Sequence, residues 1–227
     1  VMQGKIIRGI GGFYYVDTDL PGVVECKAKG IFRNRKIKPL VGDNVDIEIL
    51  DADKEKGNIV DILTRKNELI RPASANIDQS MIIFAAANPQ PNFNLLDKFL
   101  VMMDYQDVPT VICFNKCDIV SEQERKELED IYHGCGCKVI FTSTFTGYGI
   151  DMVKELLKHK TTVLAGPSGV GKSSLTNLIL PEAKMETGGV SRIGRGRHTT
   201  RHSEIFNVEN DTYIMDTPGF TSLNIPA

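Results

Sequence analysis

The sequence has little of several features that mark other classes of protein. No stretch approaches the roughly 18 to 20 unbroken apolar residues of a membrane helix, so we expect a chain that does not span a bilayer. Residues 1–5 lack a basic head before an apolar core, and we expect no secretory signal. The five cysteines are odd in number and irregularly spaced, which favours reduced thiols and a cytoplasmic location. The net charge of −2 predicts no general affinity for nucleic acid.

What the sequence does contain is typical of a folded globular protein. Hydrophobic residues make up 41% and charged residues 25% of the chain, which excludes disordered, collagen-like, mucin-like and coiled-coil proteins. The 227 residues suit one large domain, or a small domain joined to a medium one. Because the pattern of the sequence changes near residue 70, we favour two domains.

Residues 1–67 consist of short β-rich runs separated by glycine, aspartate and asparagine. We predict five strands, within residues 4–9, 12–17, 22–28, 42–49 and 57–63. Five short strands with no helix between them indicate a closed OB-type barrel. A basic cluster between the third and fourth strands could contact RNA phosphates, and a solvated loop is the alternative. The candidate RNA-binding residues in this cluster are Lys29, Arg33, Arg35 and Lys36.

From residue 77 onward, predicted strands alternate with predicted helices. Apolar runs predict strands at 81–84, 110–114, 138–141 and 162–165, and amphipathic segments predict helices at 95–103, 121–132 and 150–157. Ser121 and Glu124 have the spacing of a helix capping box. This alternation indicates an α/β domain with a mostly parallel sheet and helices on both faces. Residues 68–76 are predicted to be a linker.

The strongest motif follows the strand predicted at 162–165. It fits G-x-x-x-x-G-K-[ST] and precedes a helix predicted to begin at Lys172. Its glycines let backbone N–H groups face phosphate oxygens, and the helix N-terminus adds partial positive charge. We expect Lys172 to contact the β- and γ-phosphates of a nucleotide and Ser173 to bind Mg²⁺. The predicted nucleotide-binding residues of this segment are Gly166, Pro167, Ser168, Gly169, Val170, Gly171, Lys172, Ser173 and Ser174.

A second motif, N-K-x-D, directly follows another strand. The carboxylate of Asp118 could accept the N1–H and 2-amino protons of guanine, and adenine offers no such pair of donors. Asn115 and Lys116 are expected to shape the loop and cover the ring, and Ser143 and Thr144 to complete the base pocket. Taken alone, the same pattern would fit a solvated helix N-cap. Together with the phosphate loop it predicts selection of guanine.

Two further segments resemble nucleotide sensors. In D-x-x-G, Asp216 is expected near Mg²⁺ through a water and Gly219 near the γ-phosphate, and an ordinary turn is the alternative. The preceding basic loop offers Thr200, or Thr199, as a second hydroxyl ligand of Mg²⁺. Its arginines could contact RNA phosphates or the transferring phosphate. The candidate RNA-binding residues of this loop are Arg195, Arg197 and Arg201.

The motifs leave more than one role open for the residues that could position the hydrolytic water. Phe220 follows D-x-x-G, where a small GTPase has glutamine, and a phenyl ring does not hold water, so intrinsic turnover should be slow. His198 is the candidate for orienting or deprotonating the water, and contact with RNA or solvent is its alternative role. We therefore name His198, Lys172 and Thr200 as catalytic candidates. Gly169 stands where potassium-dependent GTPases have asparagine, so we do not expect potassium activation.

The order of these motifs is unusual. The base-reading motifs precede the phosphate loop, and the switch threonine and D-x-x-G follow it, whereas ordinary GTPases begin with the phosphate loop. Residues 77–227 are therefore predicted to be a circularly permuted P-loop GTPase domain. With the N-terminal barrel and the run G-R-G-R-H-T-T-R at 194–201, the whole chain resembles the RsgA/YjeQ family of bacterial small-ribosomal-subunit biogenesis GTPases.

The resemblance implies an enzyme of the acid-anhydride hydrolase class that binds GTP, GDP and Mg²⁺. It implies stimulation by the small ribosomal subunit during late maturation, contact with 16S rRNA, action in the cytoplasm and no membrane association; a monomer is the default. Family members also carry a C-terminal zinc domain. No such domain is present before Ala227, so we expect a truncated chain or an incomplete sequence and assign no zinc site. The segment from His133 to Cys137 is expected to be a loop with reduced thiols.

Two other functions compete with this interpretation. One is a P-loop ATPase or small-molecule kinase, against which the N-K-x-D motif argues. The other is a non-catalytic, GTP-dependent RNA-binding assembly module. Intact Lys172, Ser173, Thr200 and Asp216 argue against that module, and Phe220 leaves room for it.

Overall fold

The structure, a computed structural model, describes residues 1–19, 22–30, 32, 37–51, 55–180 and 203–216. These residues divide into two compact units. The first contains residues 1–77 with 203–206, and the second contains residues 78–180 with 207–216. Within the described residues, no helix is both long enough and apolar enough to cross a membrane.

The first unit is built around a closed five-stranded barrel. Its strands are β1 (Met2–Ile10), β2 (Phe13–Thr18), β3 (Val23–Ala28), β4 (Asn44–Asp51) and β5 (Lys56–Ile62). They close in the order β1-β2-β3-β5-β4, and β3 and β5 are the parallel neighbours. The barrel is filled by side chains that alternate along the strands, namely Ile6, Val16, Val24, Cys26, Val45, Ile47 and Ile59, and by Phe32 from the segment between β3 and β4. The predicted OB-type barrel is confirmed.

A buried carboxylate organises the turn before β4. Asp43 is fully buried and accepts hydrogen bonds from Arg65 Nε at 2.7 Å, Arg65 Nη2 at 2.8 Å and the Leu40 backbone at 2.7 Å. The same guanidinium donates to the Lys38 carbonyl and to Glu68. The bond to Asp43 raises the pKa of Arg65. The ion pair therefore holds the chain that follows β5 against the turn that precedes β4.

Residues 68–76 form part of the first unit. The short strands β6 (Glu68–Leu69) and β7 (Ser74–Ala75) pair antiparallel. The Ala75 N–H donates to the Val41 carbonyl at 2.9 Å, and Asn76 Nδ2 donates to the Gly42 carbonyl at 3.0 Å. This segment, which the sequence suggested as a linker, is thus hydrogen-bonded to the turn before β4. The domain limits predicted from the sequence, with the barrel ending at residue 67 and the GTPase domain beginning at residue 77, stay a prediction.

Most of the second unit is a six-stranded sheet flanked by helices, although residues 204–206 of its edge strand are counted with the first unit. Its strands are β8 (Gln79–Ala85), β9 (Thr110–Asn115), β10 (Lys138–Phe141), β11 (Thr161–Ala165), β12 (Glu204–Glu209) and β13 (Thr212–Asp216). Its helices are α1 (Phe93–Tyr105), α2 (Glu122–Ile131), α3 (Ile150–Leu157) and α4 (Lys172–Ile179). The sheet order is β10-β9-β8-β11-β13-β12, and the first five of these strands run parallel. The predicted α/β fold is confirmed.

The sheet order places distant parts of the sequence side by side. β8 and β11 are hydrogen-bonded neighbours although about 80 residues separate them along the chain. Because β8, β9, β10, β11 and β13 are parallel, their carboxyl ends lie along one edge of the sheet. The loops that leave this edge carry the candidate functional residues.

Candidate functional site

The loop between β11 and α4 turns at three glycines with positive φ. Gly166 has φ +156°, Gly169 has φ +81° and Gly171 has φ +91°. A Cβ atom at Gly166 would overlap the carbonyl oxygen of Ile83 in the neighbouring strand β8. The loop therefore needs glycine both for its backbone conformation and for its close approach to the sheet. α4 begins at Lys172, as the sequence predicts, so its N-terminal N–H groups follow directly after the loop.

The side chain of Asn115 joins three loops. It is fully buried at the end of β9. Its Nδ2 donates to the carbonyl of Val170 at 2.9 Å, and its Oδ1 accepts from Thr142 Oγ1 at 3.1 Å and from the Thr144 N–H at 3.2 Å. At Gly171, a Cβ atom would overlap this same Nδ2. One amide thus holds the loops after β9, β10 and β11 in a fixed arrangement.

Lys116 makes a second connection to the glycine loop. Its backbone is left-handed, with φ 60° and ψ 34°, which turns the chain sharply after β9. Its Nζ donates to the Gly169 carbonyl at 2.8 Å and to the Asn88 carbonyl in the loop after β8. The lysine stem therefore spans three loops at this edge of the sheet.

Asp118 is held by a hydroxyl group from the neighbouring loop. It lies exposed in a short 3-10 helix, Cys117–Ile119. Its Oδ1 accepts a hydrogen bond of 2.5 Å from Ser143 Oγ, which in turn accepts from the Thr146 N–H at 3.1 Å. The Ser143 N–H donates to the Tyr148 carbonyl at 2.9 Å. Ser143 thus restrains the orientation of an exposed carboxylate at the edge of the sheet where the parallel strands end.

A cation and a carboxylate meet at the start of α4. The Nζ of Lys172 is hydrogen-bonded to Asp216 Oδ1, and the two side chains are only 13% and 17% exposed. Asp216 ends β13 and pairs in register with Leu164 of β11. Ser173 follows Lys172 directly, so a hydroxyl, an ammonium and a carboxylate occupy one end of the glycine loop.

Two cysteines close to the site in sequence, Cys113 and Cys117, are buried and unreactive. Burial raises the pKa of Cys113 to about 12, and a hydrogen bond of 3.4 Å with Thr142 offsets only part of that effect. Burial also raises the pKa of Cys117. Both groups are therefore protonated thiols near neutral pH, and neither is a nucleophile.

Many of the predicted residues come together here, and others lie elsewhere. Lys29 lies in the first unit, where its Nζ pairs with Glu48 at 2.8 Å. The predicted residues that fall outside the described part of the chain are Arg33, Arg35, Lys36, Arg195, Arg197, His198, Thr199, Thr200, Arg201, Gly219 and Phe220. Asn88, whose carbonyl accepts from Lys116 Nζ, was not predicted as a site residue. Its position in the loop that follows the parallel strand β8 was a usable signal, because such loops share one edge of the sheet.

Comparison with known protein families gives two matches along the chain. A family model described as the RsgA N-terminal domain matches residues 3–59. A family model described as RsgA GTPase matches residues 62–226.

Curated relatives and solved structures agree with the family models. The protein named small ribosomal subunit biogenesis GTPase RsgA in Agathobacter rectalis is 58% identical, across 98% of this chain and 77% of that protein. The protein of the same name in Alkaliphilus metalliredigens is 49% identical, across 98% of this chain and 76% of that protein. The crystal structure of YjeQ from Thermotoga maritima matches with a TM-score of 0.80 and 31% identity, across 99% of this chain and 77% of that one. The crystal structure of YloQ, described as a circularly permuted GTPase, matches with a TM-score of 0.76 and 34% identity, across 98% and 73%.

Proposed function

Because the chain belongs to the RsgA family of GTPases, we propose that it hydrolyses GTP to GDP and phosphate during late maturation of the small ribosomal subunit. The names of its relatives support the choice of subunit. The observation that best supports a guanine-nucleotide site is the set of hydrogen bonds made by the Asn115 side chain. It ties the loop with a phosphate-binding sequence to the two loops suited to guanine.

In this proposal, the guanine base lies against the loops after β9 and β10. The Asp118 carboxylate accepts the N1–H and 2-amino protons of guanine, and the Ser143 hydroxyl orients that carboxylate. The Lys116 stem covers one face of the ring, and the Thr144 backbone closes the pocket. Adenine carries an acceptor at N1 and no 2-amino group, so it would leave the carboxylate unpaired, which discriminates strongly against ATP.

The phosphates lie along the segment from Gly166 to Ser174, at the N-terminus of α4. Backbone N–H groups and the Lys172 ammonium stabilise the negative charge of the phosphate oxygens, and this charge grows on the bridging oxygen during transfer. Gly219 is proposed to contribute its N–H to the γ-phosphate. These groups position the nucleotide and leave the activation of water to other residues.

Mg²⁺ fits the donors at the end of the glycine loop. The ion prefers hard oxygen ligands, and the Ser173 hydroxyl lies next in sequence to the lysine that contacts the Asp216 carboxylate. We propose direct ligation by Ser173 and Thr200, with Asp216 acting through a water. When bound, the ion neutralises charge on the phosphate oxygens.

Water activation is assigned to the loop before β12. Because Phe220 cannot hold a water molecule by hydrogen bonding, intrinsic turnover should be slow. His198 is proposed to orient or deprotonate the water once the small subunit contacts this loop. Contact of the chain with 16S rRNA is assigned to two basic clusters, comprising Lys29, Arg33, Arg35 and Lys36 in the first and Arg195, Arg197 and Arg201 in the second. The chain is proposed to act as a monomer in the cytoplasm, without membrane association.

The test is GTP turnover by the chain alone, with purified small subunits and with purified large subunits, and with ATP as control nucleotide. We expect slow turnover alone, stimulation by the small subunit only, and no turnover of ATP. Lys172→Ala should abolish GTP binding and turnover, and Lys154→Ala, an exposed lysine on α3, should change neither. Stimulation by large subunits instead would contradict the proposed partner.

The same assay separates the enzyme from the non-catalytic alternative, for which Phe220 leaves room. GTP binding without turnover in the presence of small subunits would support an RNA-binding assembly module that uses GTP as a structural ligand. Equal use of ATP and GTP would overturn the role given to Asp118.

A further inference from the structure

Two neighbouring thiols lie in the turn between α2 and β10, away from the residues assigned to GTP. Cys135 is exposed and Cys137 is half-buried. The N–H of Cys137 donates to the Sγ of Cys135 at 3.4 Å, so the first thiol is folded back over the backbone of the second. The two cysteines are separated only by Gly136.

A disulfide between residues two apart needs a bent backbone, and the turn that carries Cys135 and Cys137 is bent. Residues two apart in an extended chain lie about 7 Å apart, and a disulfide needs Cα atoms about 4.4 to 6.8 Å apart. Gly134 and Gly136 have φ +84° and +83°, which bends the chain on both sides of Cys135. Among the described residues, and apart from the adjacent ones in the chain, no atom lies within 4 Å of a Cβ built at either glycine, so the turn has open space around it.

The turn is anchored at both ends, which limits how far the thiols can separate. Tyr132 is buried, its hydroxyl donates to Asp97 at 3.1 Å, and its carbonyl accepts from the Cys135 N–H at 3.2 Å. On the other side, Lys138 begins β10 and pairs in register with Val111 of β9. The ordered structure on either side therefore fixes the backbone that carries the two thiols, with the Cys135 sulfur against the Cys137 N–H.

We propose that Cys135 and Cys137 form a reversible dithiol–disulfide pair that is oxidised by low-molecular-weight disulfides of the glutathione type. The Cys135 thiolate attacks one sulfur of the oxidant, forms a mixed disulfide and releases one thiolate. The Cys137 thiolate then attacks the Cys135 sulfur, closes the Cys135–Cys137 bond and releases the second thiolate. The protein loses two electrons and two protons, and the oxidant is reduced to two thiols.

The order of the two attacks follows from exposure. Burial and the adjacent Cys135 raise the pKa of Cys137 to about 11, so Cys137 is a poor first nucleophile. Exposed Cys135 is therefore the entry point, and Cys137 reacts once a mixed disulfide stands beside it. The remaining cysteines, Cys26, Cys113 and Cys117, are buried, and burial raises the pKa of each of these thiols. They should stay reduced in the folded chain.

The test treats the folded chain with oxidised glutathione, blocks remaining thiols by alkylation and maps the tryptic peptides by mass spectrometry. Cleavage after Lys126 and Lys138 leaves both cysteines in one peptide. We expect that peptide to lose two hydrogen atoms and to carry neither alkyl group nor glutathione. Addition of dithiothreitol should restore both alkylation sites.

Single substitutions make the proposal falsifiable. In Cys137→Ser, Cys135 should accumulate as a stable mixed disulfide with glutathione. In Cys135→Ser, Cys137 should react slowly with oxidised glutathione, and no intramolecular disulfide should form. A wild-type chain that retains glutathione on Cys135, forms a disulfide-linked dimer or remains fully alkylated would overturn the proposal.

Discussion

The hydrogen bond between Ser143 and Asp118 controls where the base-reading carboxylate points. Asp118 is exposed, so without a partner its carboxylate would sample several rotamers. The buried Ser143 hydroxyl restricts it through a bond of 2.5 Å. A carboxylate held in this way loses less conformational freedom when guanine binds, and this preorganisation strengthens binding.

Ser143→Ala should weaken GTP binding by about tenfold. A hydrogen bond to a charged group contributes about 1.5 to 3 kcal/mol, and tenfold in affinity corresponds to about 1.4 kcal/mol. The measurement is the dissociation constant for GTP by calorimetry, with Asp118→Ala and the double variant as controls. In the Asp118→Ala background, Ser143→Ala should have no further effect, since the carboxylate it orients is gone. Additive losses would show that Ser143 acts independently of Asp118.

At the scale of elements, the glycine loop depends on its contact with the end of β9. The Asn115 amide fills the space that a side chain at position 171 would need. A methyl group there would push the loop from its place and break the bond between Asn115 and the Val170 carbonyl. The loop and the strand are therefore matched in shape as well as in hydrogen bonding.

Gly171→Ala should lower GTP affinity by at least about tenfold, because it displaces the phosphate-binding backbone and leaves a buried amide unsatisfied. The matched control is Gly134→Ala. Gly134 has nearly the same positive φ, but in the part of the chain that the structure describes a Cβ atom there meets nothing within 4 Å beyond the adjacent residues. The control should cost only about 1 kcal/mol of stability and leave GTP affinity unchanged. Equal losses of affinity in both variants would mean that backbone strain, rather than the contact with Asn115, is responsible.

The start of α2 is held by a capping box. The Ser121 hydroxyl accepts from the Glu124 N–H at 3.2 Å, and the Glu124 carboxylate accepts from the Ser121 N–H at 2.7 Å. Ser121→Ala should lower the free energy of unfolding by about 1 kcal/mol, measured by urea denaturation. Ser121→Asp, which also caps helices, should be close to wild type. A Ser121→Ala variant as stable as the wild type would show that the cap contributes nothing.

The same cap predicts the direction of a pH effect. Hydrogen bonds from Ser121 lower the pKa of Glu124 below its usual value. The stabilisation is therefore present above the ordinary pKa of glutamate and is lost as the pH falls through the lowered value. The difference in stability between wild type and Glu124→Gln should shrink in acid.

At the scale of the whole molecule, a buried ion pair secures the first unit. Asp43 is fully buried, and most of its hydrogen bonds come from Arg65, which is 19% exposed. Removing one partner of a buried pair leaves an uncompensated charge, which costs more than the pair itself contributes. Removal of Arg65 should therefore lower the free energy of unfolding and leave GTP binding and hydrolysis unchanged.

Arg65→Ala should lower the free energy of unfolding by about 3 kcal/mol. Arg65→Lys keeps the charge but not the paired donors to both carboxylate oxygens, so it should lose less. Urea denaturation measures both variants, and GTP affinity serves as a control that should stay unchanged. If Arg65→Ala and Arg65→Lys were both as stable as the wild type, the pair would have no net effect.

The permuted order of the motifs is a feature of the whole chain that leaves the site intact. β11 lies between β8 and β13, so the phosphate loop, N-K-x-D and Asp216 leave the same edge of the sheet. Hydrogen bonding between parallel strands fixes that edge, whatever order the strands have along the chain. A sheet of this kind accepts a change of connections without a change of neighbours.

Local patterns in the sequence predicted most of the elements. The bounds of β10 and α3 match the predicted ones, and the capping box at Ser121 is present. The strand predictions did not include β12, whose side chains do not alternate cleanly between buried and exposed. They also did not include the hairpin of β6 and β7. Strands of two residues are too short to show a period, and β7 is also held by a long-range hydrogen bond from Ala75 to Val41 that no local pattern shows.

The sequence by itself determined the fold class, the family and the types of side chain available at the site, because periodicity and motif spacing depend on residues that are close together in the sequence. Only the tertiary structure decided which groups meet. The contacts of Asn115 with Val170, of Lys116 with Asn88, of Ser143 with Asp118 and of Lys172 with Asp216 join residues 25 to 55 positions apart. Such contacts depend on sheet order and packing, which no local pattern records, and they turn separate motifs into one site.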